Sequence, residues 1–423
     1  MKKIFISILV ASFLFTSCNE EFLDPTKPSE EGVLTSRDGL IGAANGLQQL
    51  WSTSRLSPMY TVITANGFTT NELRLINAGN ADEGELSIGG VSLTSKNGLT
   101  NNLWSQCLVI KSESQKIIDN INVMTVENEK GSVFTHASIF KAMALGTLIQ
   151  FYESIPLKTM KNAPFNSRAE VLTEVIATLK ATEPYLATNA NGFTGLASSI
   201  KYKNTVNALL SRFYLMLGDY NKALEHANLV DLASKSTFYY DAVSNNPIAF
   251  NSILTNNVFQ PISRTFGLPS ALAPVPTDGR IDFYITSGSN PTTAAGFYNS
   301  NTKAIPVFLP GEIILIKAEA YARKTPNMLA ESKIELDKVL TKTTANDVYG
   351  IAANLPAYSG SLDQASLLTE IYRNRCIELY MTGLKLEDSR RFGRSATERN
   401  RNWYPYPDSE RFNNPNTPTD PVN

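Results

Sequence analysis

Between residues 235 and 306 the sequence gathers Phe238, Tyr239, Tyr240, Phe266, Tyr284, Phe297 and Tyr298 among asparagine, aspartate and arginine. Flat rings beside such polar groups suit one kind of chemistry. The rings stack on the apolar faces of sugars, and the amide, carboxylate and guanidinium groups meet the hydroxyls. A second stretch, 74–96, is rich in glycine and asparagine and adds Arg74 and the acids Asp82, Glu83 and Glu85. We expect stacking from Tyr239, Tyr240, Tyr284 and Tyr298, and hydroxyl contacts from Arg74 and Asp82. One stacked ring is worth ~1 kcal/mol, judged by aromatic pairs, so affinity is micromolar or weaker and shared among contacts. Other rings of the same stretch must cover the core.

Bond-breaking chemistry has less to work with. The two histidines, His136 and His226, have no partner histidine at metal-ligand spacing, and no HExxH, GxSxG or GxxxxGK[ST] pattern occurs. Carboxylate pairs of the kind glycosidases use are Glu20/Glu21, Glu30/Glu31 and Glu387/Asp388. The first two fall in an N-terminal tether, and the third stands beside Arg390 and Arg391 and reads as ion pairs fixing a helix. The Asp82 cluster lacks the spacing of a calcium loop and reads as a solvated acidic loop. No enzyme activity, cofactor or metal is expected. With 38 basic against 39 acidic residues and a net charge of −1, no basic footprint for nucleic acid is present.

Lys2 and Lys3 precede an apolar run from Ile4 to Phe15, shorter than the ~20 residues that span a bilayer. It ends in Phe15-Thr16-Ser17-Cys18, small residues before a cysteine. Residues 1–17 read as a lipoprotein signal peptide, with Cys18 carrying the lipid anchor. Residues 18–35, with Pro25, Pro28 and Gly32, read as a flexible tether; its first sixteen residues reach at most ~55 Å. No later segment reads as a membrane span. Cys107 and Cys376 fall in apolar helical contexts and read as buried thiols.

The elements that must position such a site are helical. In Asn204–Asn228, Val206, Leu210, Phe213 and Leu217 line one helical face, Gly218 stops the helix, and Asp219 caps a second one carrying Tyr220, Ala223, Leu224 and Ala227. This is a tetratricopeptide-type hairpin, which buries its apolar face only by stacking on others. Residues 137–151 with 171–179 form another, and 307–323 with 329–340 a further one. Helices are also expected at 36–53, 60–73, 99–123 and from 368 to near 383. The expected fold is mostly α, a stack of about four hairpins over 36–423. It carries a large irregular insertion at about 235–306 with minor β structure, including Ile281–Tyr284.

The run IYRNRCIELYMTGLKLEDSRRFGR at Ile371–Arg394 resembles the signature helix of the SusD/RagB family of nutrient-uptake outer-membrane lipoproteins. FLDP at Phe22–Pro25, LIQFYESIPL at Leu148–Leu157, TDGR at Thr277–Arg280, LIKAEAYAR at Leu315–Arg323 and YPYPDSE at Tyr404–Glu410 agree in order. The resemblance implies four hairpins whose loops form one ligand face. It implies a chain lipid-anchored to the outer membrane and facing outward, acting as lid for a SusC-like TonB-dependent transporter. The ligand implied is an oligosaccharide. Peptide capture by the same architecture, or a protein-binding tetratricopeptide scaffold, are the alternatives.

Overall fold

The computed structural model describes residues 30–187, 195–196, 198–254, 257–286 and 292–421. Cys18, the expected signal segment and most of the expected tether lie outside these residues. Where the tether enters the description, Glu30–Leu34 already forms a helical turn.

Helices α1 (Arg37–Ser52) and α2 (Pro58–Thr69) start where serine side chains cap them, Ser36 accepting from the Gly39 amide and Ser57 from that of Tyr60. A short strand β1 (Leu73–Leu75) and helix α3 (Ala81–Ile88) follow, in place of the expected loop. Helix α4 (Gly98–Asp119), capped by Asn97, packs along α5 (Glu127–Phe151). By length and composition α5 could cross a membrane, but 89% of its apolar window is buried inside the protein, so it serves as the central core helix.

Strands β2 (Ser154–Pro156) and β3 (Phe165–Ser167) pair in the turn before α6 (Arg168–Lys180), which opens on a Ser167–Glu170 capping box and packs back onto α5. The central hairpin is α7 (Tyr202–Leu217) and α8 (Tyr220–Ala227). Gly218 adopts φ +89 at its turn, and Asp219 caps α8 through Lys222. Val206, Leu210, Phe213, Ala223 and Ala227 are buried as their spacing requires, whereas Leu217, in the last turn of α7, is 38% exposed.

The insertion is closed at its neck. Strand β4 (Thr237–Phe238) pairs with β6 (Ile305–Pro306), bringing its two ends together. Between them, β5 (Phe259–Pro261) pairs antiparallel with β1, which ties the insertion to the N-terminal helices. Ile281–Tyr284, expected to be β-like, lies instead in a short helix α9 (Arg280–Tyr284). The last hairpin, α10 (Pro310–Arg323) with α11 (Leu329–Leu340), carries its own apolar cluster against α12 (Gln364–Glu378). The expected ion pairs then fix α13 (Lys385–Arg391): Asp388 receives Arg375 Nε at 2.8 Å and Arg391 Nη2 at 2.8 Å, and Glu387 receives Arg390 Nη2 at 3.0 Å.

Candidate ligand-binding groove

Helix α9 explains where a binding surface arises. With helical spacing, Ile281 and Tyr284 fall on the inward face, three residues apart, and Phe283 turns outward. Phe283 is half-buried, with its ring 5.4 Å from that of Phe297. Phe297 in turn meets Tyr349 edge-on at 5.5 Å. Gly296, at φ +61, makes this approach possible, because a Cβ there would stand 2.9 Å from the Phe283 ring. These three rings line an open groove of about 1190 Å³ between the insertion and the loop after α11. Lys235 and Lys303 rim it at the insertion neck, and the exposed Asn299 also lines it. Lys235 Nζ lies 5.6 Å from the centre of the Tyr349 ring. Among the described residues the side chains of Asn299 and Lys303 form no hydrogen bond or ion pair with the protein. An adjoining cleft of about 870 Å³, lined by Thr343, Thr344 and Asn354, shares Asp282 and Phe283 with the groove and extends it.

A buried charge network holds both walls. Arg280 is 1% exposed and forks onto Asp278, with Nε to Oδ1 at 2.9 Å and Nη2 to Oδ2 at 2.7 Å. Its Nη2 also reaches Asn374 Oδ1 at 2.9 Å and its Nη1 reaches Glu378 Oε2 at 3.3 Å, both on α12. The other Glu378 oxygen pairs with Lys342, whose Nζ donates to Asp347 Oδ2 at 2.7 Å. Asp347 Oδ1 finally accepts from the Tyr349 amide at 2.8 Å. Phe283 and Tyr349 are thus attached to one chain of charges, and the Gly279 amide bonds the Ala353 carbonyl at 3.0 Å beside it.

No family model and no curated protein matches the sequence. Solved structures do match the fold. A SusD superfamily protein from Bacteroides fragilis superposes with a TM-score of 0.70 at 15% identity, covering 91% of this chain and 99% of its own. The fold is that of the SusD superfamily. A SusD-like carbohydrate binding protein from Bacteroides vulgatus gives 0.67 at 16% identity over 85% of this chain and 84% of its own. NanU from B. fragilis gives 0.69 at 15% identity over 94% and 99%.

Within this SusD fold the six residues expected to bind are not brought together. Tyr284 and Tyr298 are 1% and 2% exposed. Their hydroxyls donate to the carbonyls of Glu378 at 2.6 Å and Met381 at 2.7 Å, at and just beyond the end of α12. Helix ends leave carbonyls without intrahelical partners, and these two tyrosines satisfy such groups, so they are structural ties rather than stacking platforms. Tyr240 is buried as well, its hydroxyl directed to Met59 Sδ at 2.9 Å and the Ser52 carbonyl at 3.3 Å. Tyr239 alone of the four is exposed, outside the groove. Arg74 lies on β1 with Nε bonded to the Pro261 carbonyl at 3.2 Å. Asp82, in the first turn of α3, accepts the Gly98 amide at 2.8 Å. Its neighbour Glu83 is fully buried against Arg55 and Tyr60, so the acidic stretch is not the solvated loop expected.

The groove residues missed by the sequence reading were Phe283, Tyr349, Lys235, Lys303 and Asn299. Reading Arg280–Tyr284 with a helical rather than an alternating period would have turned Phe283 outward. Tyr349 carried no comparable signal, since its place depends on Asp347 and the buried network.

Proposed function

We propose that this chain is a non-enzymatic glycan binder of the SusD/RagB type, displayed on the outer membrane through a lipid on Cys18 and working as the lid of a TonB-dependent transporter. The observation that carries the reading is the groove itself. It combines half-buried rings with unpaired amide and ammonium groups on a rigidly braced frame, which is the mixture that sugar rings and their hydroxyls require. The likeness to a SusD-like carbohydrate binding protein supports it. An acyl-anchored helical domain offers no path through a bilayer, so uptake falls to a partner barrel.

Calorimetry against a panel of neutral glycans and peptides tests the ligand. Tyr349→Leu and Asn299→Ala are each expected to weaken glycan binding about 3- to 10-fold while leaving the melting temperature near wild type. A glycan that binds both variants as tightly as wild type places the site elsewhere, and binding confined to peptides replaces the glycan reading.

Anchoring and partnership are tested together in a mild-detergent extract. The wild-type chain is expected to carry labelled fatty acid and to co-purify with a TonB-dependent barrel, and Cys18→Ala to lose both the label and the membrane. A labelled Cys18→Ala protein would reject the anchor, and a native protein always free of a barrel would reject the lid.

A further inference from the structure

A second pocket, remote in sequence from the groove, is built around a buried lysine. Lys111 projects from α4 and is 4% exposed. Its Nζ donates to the Leu157 carbonyl at 3.1 Å, and among the described residues it has no other hydrogen bond and no acid within ion-pair reach. It lines an open pocket of about 840 Å³ between α4, the 158–163 turn and the C-terminal residues Glu410 and Asn413. Lys158 and Lys161, exposed on that turn, pair with no acid either. The one acid in the wall is already engaged: Glu410 accepts Trp104 Nε1 at 3.2 Å on one oxygen and Asn414 Nδ2 at 2.9 Å on the other. Lys141, the other cation acting on Lys111, is tied to Glu174 at 2.7 Å. Leu108 and Met160 add apolar surface to the same pocket.

A buried ammonium without a counter-charge is costly, and proteins resolve that cost with a partner or by losing the proton. Burial, with Lys141 nearby and against the pull of Glu410, pushes the Lys111 ammonium down to about 8, which leaves it charged at neutral pH. Three lysines against one occupied carboxylate leave the pocket short of negative charge, and its apolar surface can take the face of a ring.

We propose that this pocket binds the oxyanion of an acidic saccharide, a ring carboxylate or a sulfate ester, with Lys111 Nζ as the central contact. The proposal is independent of what the groove binds. Oxyanions accept strong charge-assisted hydrogen bonds from ammonium groups, and Lys111 has two N–H groups to offer.

The purified chain is titrated calorimetrically near pH 6.5 with sodium glucuronate, galactose 6-sulfate, inorganic sulfate and glucose, ionic strength being held constant with NaCl. Saturable binding of glucuronate or of galactose 6-sulfate, with none of glucose, is expected, and the two arms tell a carboxylate from a sulfate. Lys111→Met is expected to cut that affinity at least about tenfold, the loss of one charge-assisted bond, without lowering the melting temperature. Should Lys111→Met fail to fold, Lys158→Ala with Lys161→Ala and the wild-type pH profile carry the test. Affinity is expected to fall in the double variant, and in wild type as pH rises through about 8 and Lys111 loses its proton. Glu410, Lys141, Lys158 and Lys161 are the other charged groups facing it. Binding of inorganic sulfate only, binding that survives Lys111→Met, or a flat pH profile overturns the proposal.

Discussion

Arg280→Met is expected to destabilise the protein by ~3–5 kcal/mol and to loosen ligand binding together with the fold. The guanidinium stands in a site closed to water, where Asp278, Glu378 and Asp347 supply three carboxylates and Arg280 and Lys342 two cations. Removing the arginine leaves three acids to one base. Methionine nearly fills the volume, so the loss reports uncompensated charge rather than a cavity. Arg280→Lys keeps the charge but not the fork on Asp278, and an intermediate loss is expected. Adding Asp278→Asn to Arg280→Met removes one stranded carboxylate, and the double variant should recover part of the loss. Denaturant unfolding measures all three. A midpoint for Arg280→Met equal to wild type would show that the network does not brace the fold.

The second large effect is one of pH. Glu72 is 1% exposed just before β1, with Oε2 accepting from Asn66 Nδ2 at 3.0 Å. Burial raises its carboxyl from 4.5 to about 7, against the pull of Lys385 and of hydrogen bonds from Met381 and Asn66. The folded chain therefore keeps a proton that the unfolded chain releases near 4.5. Stability from this group is complete below that pH, falls as pH rises toward 7, and the loss amounts to about 3 kcal/mol. Glu72→Gln should abolish that slope, so its advantage over wild type grows between pH 5 and pH 7.5 and then levels. Buried His136, lowered to about 4, acts in the opposite sense, because its stability is lost as pH falls below 6.5. Unfolding free energies of wild type and Glu72→Gln at several pH values decide the matter. A difference that does not change with pH rejects a protonated Glu72.

The fold could be read from the sequence wherever a local rule and the burial it serves agree. Gly218 and Asp219 mark the central hairpin turn by backbone conformation and capping alone, and both act as expected. Glu387 and Asp388 find Arg390 and Arg391 within one helical turn. The site could not be read in the same way. A tyrosine that stacks on a ligand and one that ties off a helix end share composition and neighbours. Tyr284 and Tyr298 are told apart from exposed rings only by carbonyls 94 and 83 residues away. Likewise TDGR stood out as a motif, but Arg280 acquires its role from Glu378, 98 residues further along the chain.

Asn299, Lys303 and Tyr349 sit on connecting segments and Phe283 on the short helix α9 of the insertion, whereas the seam of the central hairpin is made by residues such as Ala223 that contribute nothing to the groove. Recognition and cohesion therefore draw on separate sets of positions. Point changes at the former carry little cost in folding, so such a surface can be altered from one ligand to another while the scaffold stays above its stability threshold. A family built on this plan can diverge in sequence until little but its architecture is shared, which is the degree of likeness this chain has to its structural neighbours.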